Sequence, residues 1–183
     1  MADARKVAKK GFFEISAPLL SAKLHAYGNT ADELVGKTIK LDLTRTLRGK
    51  SFELVLKLHK EGEQLVGQPT SLSLAGSFIR KSMRKSADYV EDSFVAETKE
   101  GKVRIKPFLI ARNRVSRAVL NELRVNARKI LEGYVRVKTP KELFSDLMTN
   151  KMQKELSLKL KKVYPLAFCE IRVFETVSEK KSF

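Results

Sequence analysis

The sequence predicts an α+β fold in which an antiparallel β-sheet is flanked by α-helices and the first and last strands share one sheet. Three observations predict it. Within a β-rich stretch over 12–68, and again over 168–177, runs of residues alternate apolar and polar with period two, the mark of half-buried strands. Between them, over 114–163, apolar residues recur at helical spacing. A final strand standing alone would not be stable, so it is expected to return to the sheet that the first strand begins.

The elements follow in order. Phe13 and Ile15 alternate with polar neighbours until Pro18. Ile39, Leu41 and Leu43 alternate with Lys40, Asp42 and Thr44, and Phe52, Leu54, Leu56 and Leu58 form a second such row, with a turn at 47–50 between the two. Over 73–86, Leu74, Phe78, Ile79 and Met83 fit a short helix. Residues 89–99, then Glu100-Gly101, then 103–111 read as a β-hairpin, with Pro107 pointing to an edge position or a bulge. The strongest helix spans 114–131, with Val119, Leu123, Ala127 and Ile130 as its apolar stripe and Gly133 as its C-terminal cap. Thr139-Pro140-Lys141-Glu142 is a capping-box pattern with proline at the first helical position. The helical region it opens breaks near Asn150 and ends at Tyr164-Pro165. The domain expectation is a basic, mobile arm over 1–11, one α+β RNA-binding domain over 12–178 and a short tail over 179–183. The arm, with Lys9 and Lys10, reads equally as a solvated terminus or an RNA contact.

Composition narrows the function. Of 183 residues, 43% are hydrophobic, enough to build a core. Lys and Arg total 37 against 21 Asp and Glu, a net charge of +16. Folding does not need that surplus and self-repulsion opposes it, so a polyanion partner is the natural explanation. A single cysteine, Cys169, excludes a disulfide framework and a cysteine-based metal site. No apolar run reaches the roughly 18 residues of a membrane span. The N-terminus lacks the apolar core of a secretory signal, so the cytoplasm is the expected compartment.

Signals for catalysis are poor. His25 and His59 have no metal-ligand spacing around them, and Cys169 lies in an apolar strand, where it reads as a small buried hydrophobe. Gly36-Lys37-Thr38 and Gly49-Lys50-Ser51 imitate phosphate loops, but the required earlier glycines are Ala31 and Thr44. Ser82-Met83-Arg84-Lys85 has serine–lysine hydrolase spacing without the partner motifs. No catalytic residue, metal or cofactor is expected.

The basic constellations are more telling. Arg80, Lys81, Arg84 and Lys85 lie within two helical turns. Arg112, Arg114, Arg117, Arg124, Arg128 and Lys129 run along the strongest helix, and 112–138 holds few acids, Glu122 and Glu132. A merely solvated helix face mixes signs in i,i+4 pairs. Arginine's planar fork pairs with phosphate oxygens two at a time. Together with Lys9 and Lys10 these are the candidate RNA-binding residues. Their spread over arm, turn and helix suits wrapping on folded RNA better than base readout from one element.

Several segments carry a family likeness: 9–18 (KKGFFEISAP), 34–43 (LVGKTIKLDL), 77–81 (SFIRK), 97–107 (ETKEGKVRIKP) and Tyr164-Pro165-Leu166 before the last strand. In order and spacing the chain resembles the archaeal and eukaryotic small-subunit ribosomal proteins of the S3Ae family. It departs from them in having Phe for the usual Trp near the start, a shorter 58–73 segment and no long C-terminal extension, which favours an archaeal, reduced version. The resemblance implies a barrel-like antiparallel sheet with flanking helices. It also implies a place on the small-subunit platform, near the mRNA exit and the rRNA 3′ end. Its implied partners are small-subunit rRNA, neighbouring ribosomal proteins and mRNA near the exit, with no membrane. The expected function is a structural constituent of the small ribosomal subunit, cytoplasmic on the ribosome. The alternative is a free RNA-binding factor for ribosome assembly or translation. An enzyme acting on nucleic acid would instead need convergent carboxylates or a metal site.

Overall fold

The structure, a computed structural model, describes residues 10–20, 24–47, 49–62 and 64–177. Lys9, most of the arm expected over 1–11 and the tail expected over 179–183 lie outside the described residues. The chain divides into two compact units, Met1–Leu41 with Val55–Thr70 and Asp42–Leu54 with Ser71–Phe183.

In the first unit β1 (Gly11–Ser16) pairs antiparallel with β2 (Leu24–Gly28), from Gly11 opposite Gly28 to Ile15 opposite Leu24. A short helix, α1 (Ala31–Leu34), follows, started by Thr30, whose side chain accepts from the Glu33 N–H. Strand β3 (Thr38–Asp42) then pairs with β4 (Phe52–Glu61), and β5 (Gln64–Leu74) takes β1 in parallel at Leu65 and Val66. The core is Ile15, Leu34, Leu58 and Leu65. Gly28 packs closely there: a Cβ would stand 3.0 Å from Leu34 Cδ2, so Leu34 would have to shift. Neither β2 nor α1 was expected from the sequence. α1 is a single turn, too short to display its period, and in β2 the inward positions include the small Ala26 and Gly28 while Tyr27 is exposed, so apolar and polar residues do not alternate cleanly.

The second unit holds the helices α2 (Gly76–Ser82), α3 (Arg117–Arg136), α4 (Pro140–Met148) and α5 (Lys151–Leu160). Its strands are β6 (Tyr89–Glu91), β7 (Phe94–Thr98), β8 (Gly101–Ala111) and β9 (Leu166–Val177), with the end of β5. β8 runs antiparallel to β9 along its length and takes β6 and β7 on its other side. The end of β5 pairs with β9, at Ser71–Ser73 against Val173–Glu175. The first and last long strands, β1 and β9, are thus both hydrogen-bonded to β5, as expected. Among the described residues the pairing runs β2-β1-β5-β9-β8-β6 and does not return to β2. The sheet is antiparallel-rich and flanked by helices, but the expected barrel does not close.

Local chemistry explains most boundaries. Thr139 and Glu142 form the full capping box of α4, and Asn150, at φ 58, breaks α4 from α5. The hairpin's first arm is two strands, split where Asp92 Oδ1 accepts the Ser93 N–H at 2.8 Å. β8 is an inner strand, so of the two readings of Pro107 the bulge holds and the edge position does not. Gly133 is not a cap: α3 continues through it because its buried stripe, Leu123, Ala127, Leu131 and Val135, continues too. Burying Leu131 and Val135 outweighs the roughly 1 kcal/mol that glycine costs inside a helix. That i,i+4 stripe keeps Leu123 and Ala127 of the expected one and leaves Val119 and Ile130 only half-buried. The helix also starts later than expected, so Arg114 precedes it. The expected start of a helix at 73 gives way to β5, where Leu72 and Leu74 are buried on one face.

Candidate nucleic-acid interface

In the second unit, antiparallel pairing sets Tyr89 of β6 opposite Ile110 of β8. The chain therefore enters β6 and leaves β8 at the same end of the pair. Asp88 ties the two flanking segments. Its Oδ2 accepts the Val115 N–H at 2.9 Å, and its carbonyl accepts the Ala111 N–H at 2.9 Å. Arg84 and Lys85, after α2, are so brought to the end where Arg112 and Arg114 leave β8, and all are exposed. Arg117 opens α3 just beyond. The first turn of α3 carries no acid and Ser116 makes no side-chain cap, so the positive end of the helix dipole adds to the cations.

From there the cationic surface runs on. Arg117, Asn121 and Arg124 line an open depression of about 610 Å³ on α3. Arg124 also borders a second depression, with Lys106 and Arg172 and the acids Glu91 and Asp92. Glu91 and Arg172 are shared with a third, which reaches Arg80 and Met83 beside α2. The two basic clusters, far apart in sequence, thus become one tract. Arg172 is aimed there by a bulge. Lys106 faces Val173 and Pro107 faces Ile171, leaving Arg172 as the extra residue on β9. Proline has no N–H to give the ladder, and a bulge absorbs the missing bond while re-aiming a side chain. Arg172 then pairs with Glu91.

The cations differ in whether they are already paired. Among the described residues no carboxylate lies within ion-pair distance of Arg80, Lys81, Arg84, Lys85, Arg112, Arg114, Arg117, Arg124 or Lys129. Arg80 donates only to the Gly76 carbonyl of its own helix, at 3.4 Å. Arg128 is different. Its Nε donates to Glu132 at 2.8 Å and its guanidinium lies 5.3 Å from the centre of the Phe94 ring. The hydrogen bond to Glu132 and the attraction of that carboxylate raise its pKa. Lys129 sits about 100° round the helix from Arg128. Lys10 belongs to the first unit, exposed just before β1.

Two other polar clusters tie the fold together. Lys50 donates to the buried carboxylate of Glu170 and, at 2.8 Å, to Asn150 Oδ1. Lys138, Tyr134 and Asp146 form a triad, with Tyr134 donating to Asp146 at 2.8 Å and Lys138 to Tyr134 at 2.7 Å. His25 is exposed on β2 and His59 half-buried on β4. Among the described residues no helix is long and apolar enough to cross a membrane.

The Ribosomal S3Ae family pattern matches residues 3–180. The chain belongs to this family. A curated relative, small ribosomal subunit protein eS1 of Nanoarchaeum equitans (strain Kin4-M), is 26% identical over 178 residues, covering 91% of this chain and 88% of its own. The protein of the same name from Methanothermobacter thermautotrophicus is 26% identical over 133 residues, covering 69% of this chain and 68% of its own. Within this S3Ae chain, reading the sequence missed Lys106 and Arg172 as parts of the tract. The available signal was Pro107: a proline inside a strand implies a bulge, and a bulge on the partner strand re-aims one of its side chains.

Proposed function

We propose that this S3Ae-family chain is a structural constituent of the small ribosomal subunit, holding rRNA against the tract from Arg80 to Arg117, and works without catalysis. One observation carries the reading: the tract's arginines and lysines, save Arg172, lie outside every ion pair among the described residues. A protein that used them for its own stability would have matched them with acids. Left unmatched, they repel one another, and phosphates relieve that repulsion while releasing condensed counterions. Family membership and the names of the archaeal relatives supply the ribosomal context. Residues 12–178 would serve as one RNA-binding domain, with Lys9 and Lys10 as further contacts. The resemblance favours the platform, near the mRNA exit and the rRNA 3′ end, beside other small-subunit proteins on the cytoplasmic ribosome.

Two measurements test this. Affinity of the purified chain for small-subunit rRNA should fall steeply between about 50 and about 200 mM salt, and a flat response would overturn the phosphate mechanism. In lysate the chain should stay with small subunits through a high-salt wash. Release by the wash would instead identify a free assembly or translation factor.

A further inference from the structure

A row of aromatic rings beneath α2 ends open. Phe78 on α2, Phe168 on β9, Phe108 on β8 and Tyr89 on β6 follow one another with centroids 6.1, 6.2 and 5.7 Å apart. Phe108 is buried and Phe78 and Phe168 half-buried, but Tyr89 at the end of the row is 48% exposed. Beside it Met83 is 42% exposed. Both border the third depression, about 360 Å³, which Arg80, Arg172 and Glu91 also line. That volume falls within the range of small-ligand sites.

Other large hydrophobic residues are also exposed among the described residues, but Tyr89 and Met83 line one depression together, so a flat apolar group seated there would take both out of water. The surrounding charge selects the occupant. Arg80 and Arg172 stand in the wall, and Lys81, Arg84 and Lys85 follow nearby in the chain. A nucleotide suits both features at once, with a flat base for the ring and phosphate oxygens for the guanidinium forks. A base stacked inside an RNA helix cannot reach such a site, whereas a bulged one can. Glu91 adds selectivity. One of its oxygens holds Arg172, and a carboxylate only accepts hydrogen bonds. It favours a base edge that offers donors side by side, and guanine presents N1–H and N2–H in that way.

We propose that this depression takes a single extruded nucleobase of bound RNA, guanine preferred, stacked on Tyr89 with its flanking phosphates on Arg80 and Arg172. The inference rests on the RNA-binding reading above.

Three hairpins with identical stems test it against the full chain by fluorescence anisotropy: one fully paired, one with a single bulged guanine and one with a single bulged uridine. The bulged guanine should bind roughly tenfold tighter than the paired stem, the scale of one base stacked on an aromatic ring. Tyr89→Ala should erase that advantage and leave affinity for the paired stem unchanged, while Tyr89→Phe retains it. Glu91→Gln should erase the preference for guanine over uridine. Equal binding of all three hairpins by the unaltered chain would overturn the pocket and spare the phosphate tract. Failure to bind even the paired stem would overturn both. If Tyr89→Ala left every hairpin affinity unchanged but lost co-sedimentation with small subunits, the ring would belong to a protein neighbour and the proposal would fall.

Discussion

The carboxylate of Asp88 holds the backbone N–H of Val115 at 2.9 Å, and through it the segment that carries Arg112 and Arg114. Asp88→Ala removes an acid from beside a cationic cluster. On charge alone it should tighten RNA binding. Because Asp88 positions that segment, the expected result is the opposite. RNA affinity should fall about as far as in Arg112→Gln/Arg114→Gln, and combining the changes should cost little more. Asp88→Asn keeps an acceptor and should retain affinity. The lost hydrogen bond should cost about 1 kcal/mol of stability, measured by denaturant unfolding.

Arg117 and Arg124 lie outside every ion pair among the described residues. Arg117→Gln/Arg124→Gln should leave the melting temperature unchanged. It should also reduce the slope of log affinity against log salt by about 2, roughly one for each phosphate contact removed. Arg128→Gln should behave differently, lowering the melting temperature measurably, because it breaks the pairing with Glu132 and the contact with Phe94. Unfolding of the double variant would show that those arginines serve the core.

Glu170 is 5% exposed and its partner Lys50 sits 30% exposed at the side chain. Lys50→Met strands a carboxylate in the interior of the second unit. Breaking a fully buried pair costs about 3–5 kcal/mol, and with Lys50 partly in water about 2 kcal/mol is expected. Lys50→Met/Glu170→Leu should recover much of the loss, since no charge is then left buried. Chemical denaturation of the single and double variants measures both.

Burial opposes ionisation of Asp146, but hydrogen bonds from Lys138 and Tyr134 outweigh it and hold its pKa below the usual carboxylate value. Burial likewise opposes the charge on Lys138, and its bonds to Asp146 and Tyr134 raise its pKa overall. A carboxyl with a depressed native pKa releases its proton more readily when folded. Its stabilisation is therefore complete above the unfolded value, about 3.9, and is lost as pH falls through the native pKa. For Lys138 the stabilisation is complete below about pH 10.4 and is lost as pH rises through the raised native value. Asp146→Asn should flatten the stability profile at both extremes. A profile identical to that of the unaltered chain would rule out the triad as the source.

Burial, followed by the nearby Glu170 carboxylate, pushes the Cys169 thiol up to about 12. The thiolate is the reactive form. Alkylation at pH 8 should be far slower in the folded chain than in denaturant, and the single cysteine makes the readout unambiguous.

The sequence by itself determined what is local. Alternation marked β1, β3, β4 and β9, the Thr139–Glu142 pattern started α4, Asn150 broke the helical region, and Pro107 pointed to an edge position or a bulge. Charge counting pointed to a polyanion, and segment order pointed to S3Ae. Only the tertiary structure decided which cations are available. Arg117 and Arg128 look alike in sequence, yet one stands clear of any acid while the other is held by Glu132 and Phe94. Arg172 joins Arg124 because strand register places the bulge across β8 from β6, and Gly133 stays helical because a buried stripe runs through it. Periods of 2 and 3.6 are properties of neighbouring residues. Partners and exposure depend on contacts between segments far apart in the chain, which no local pattern records.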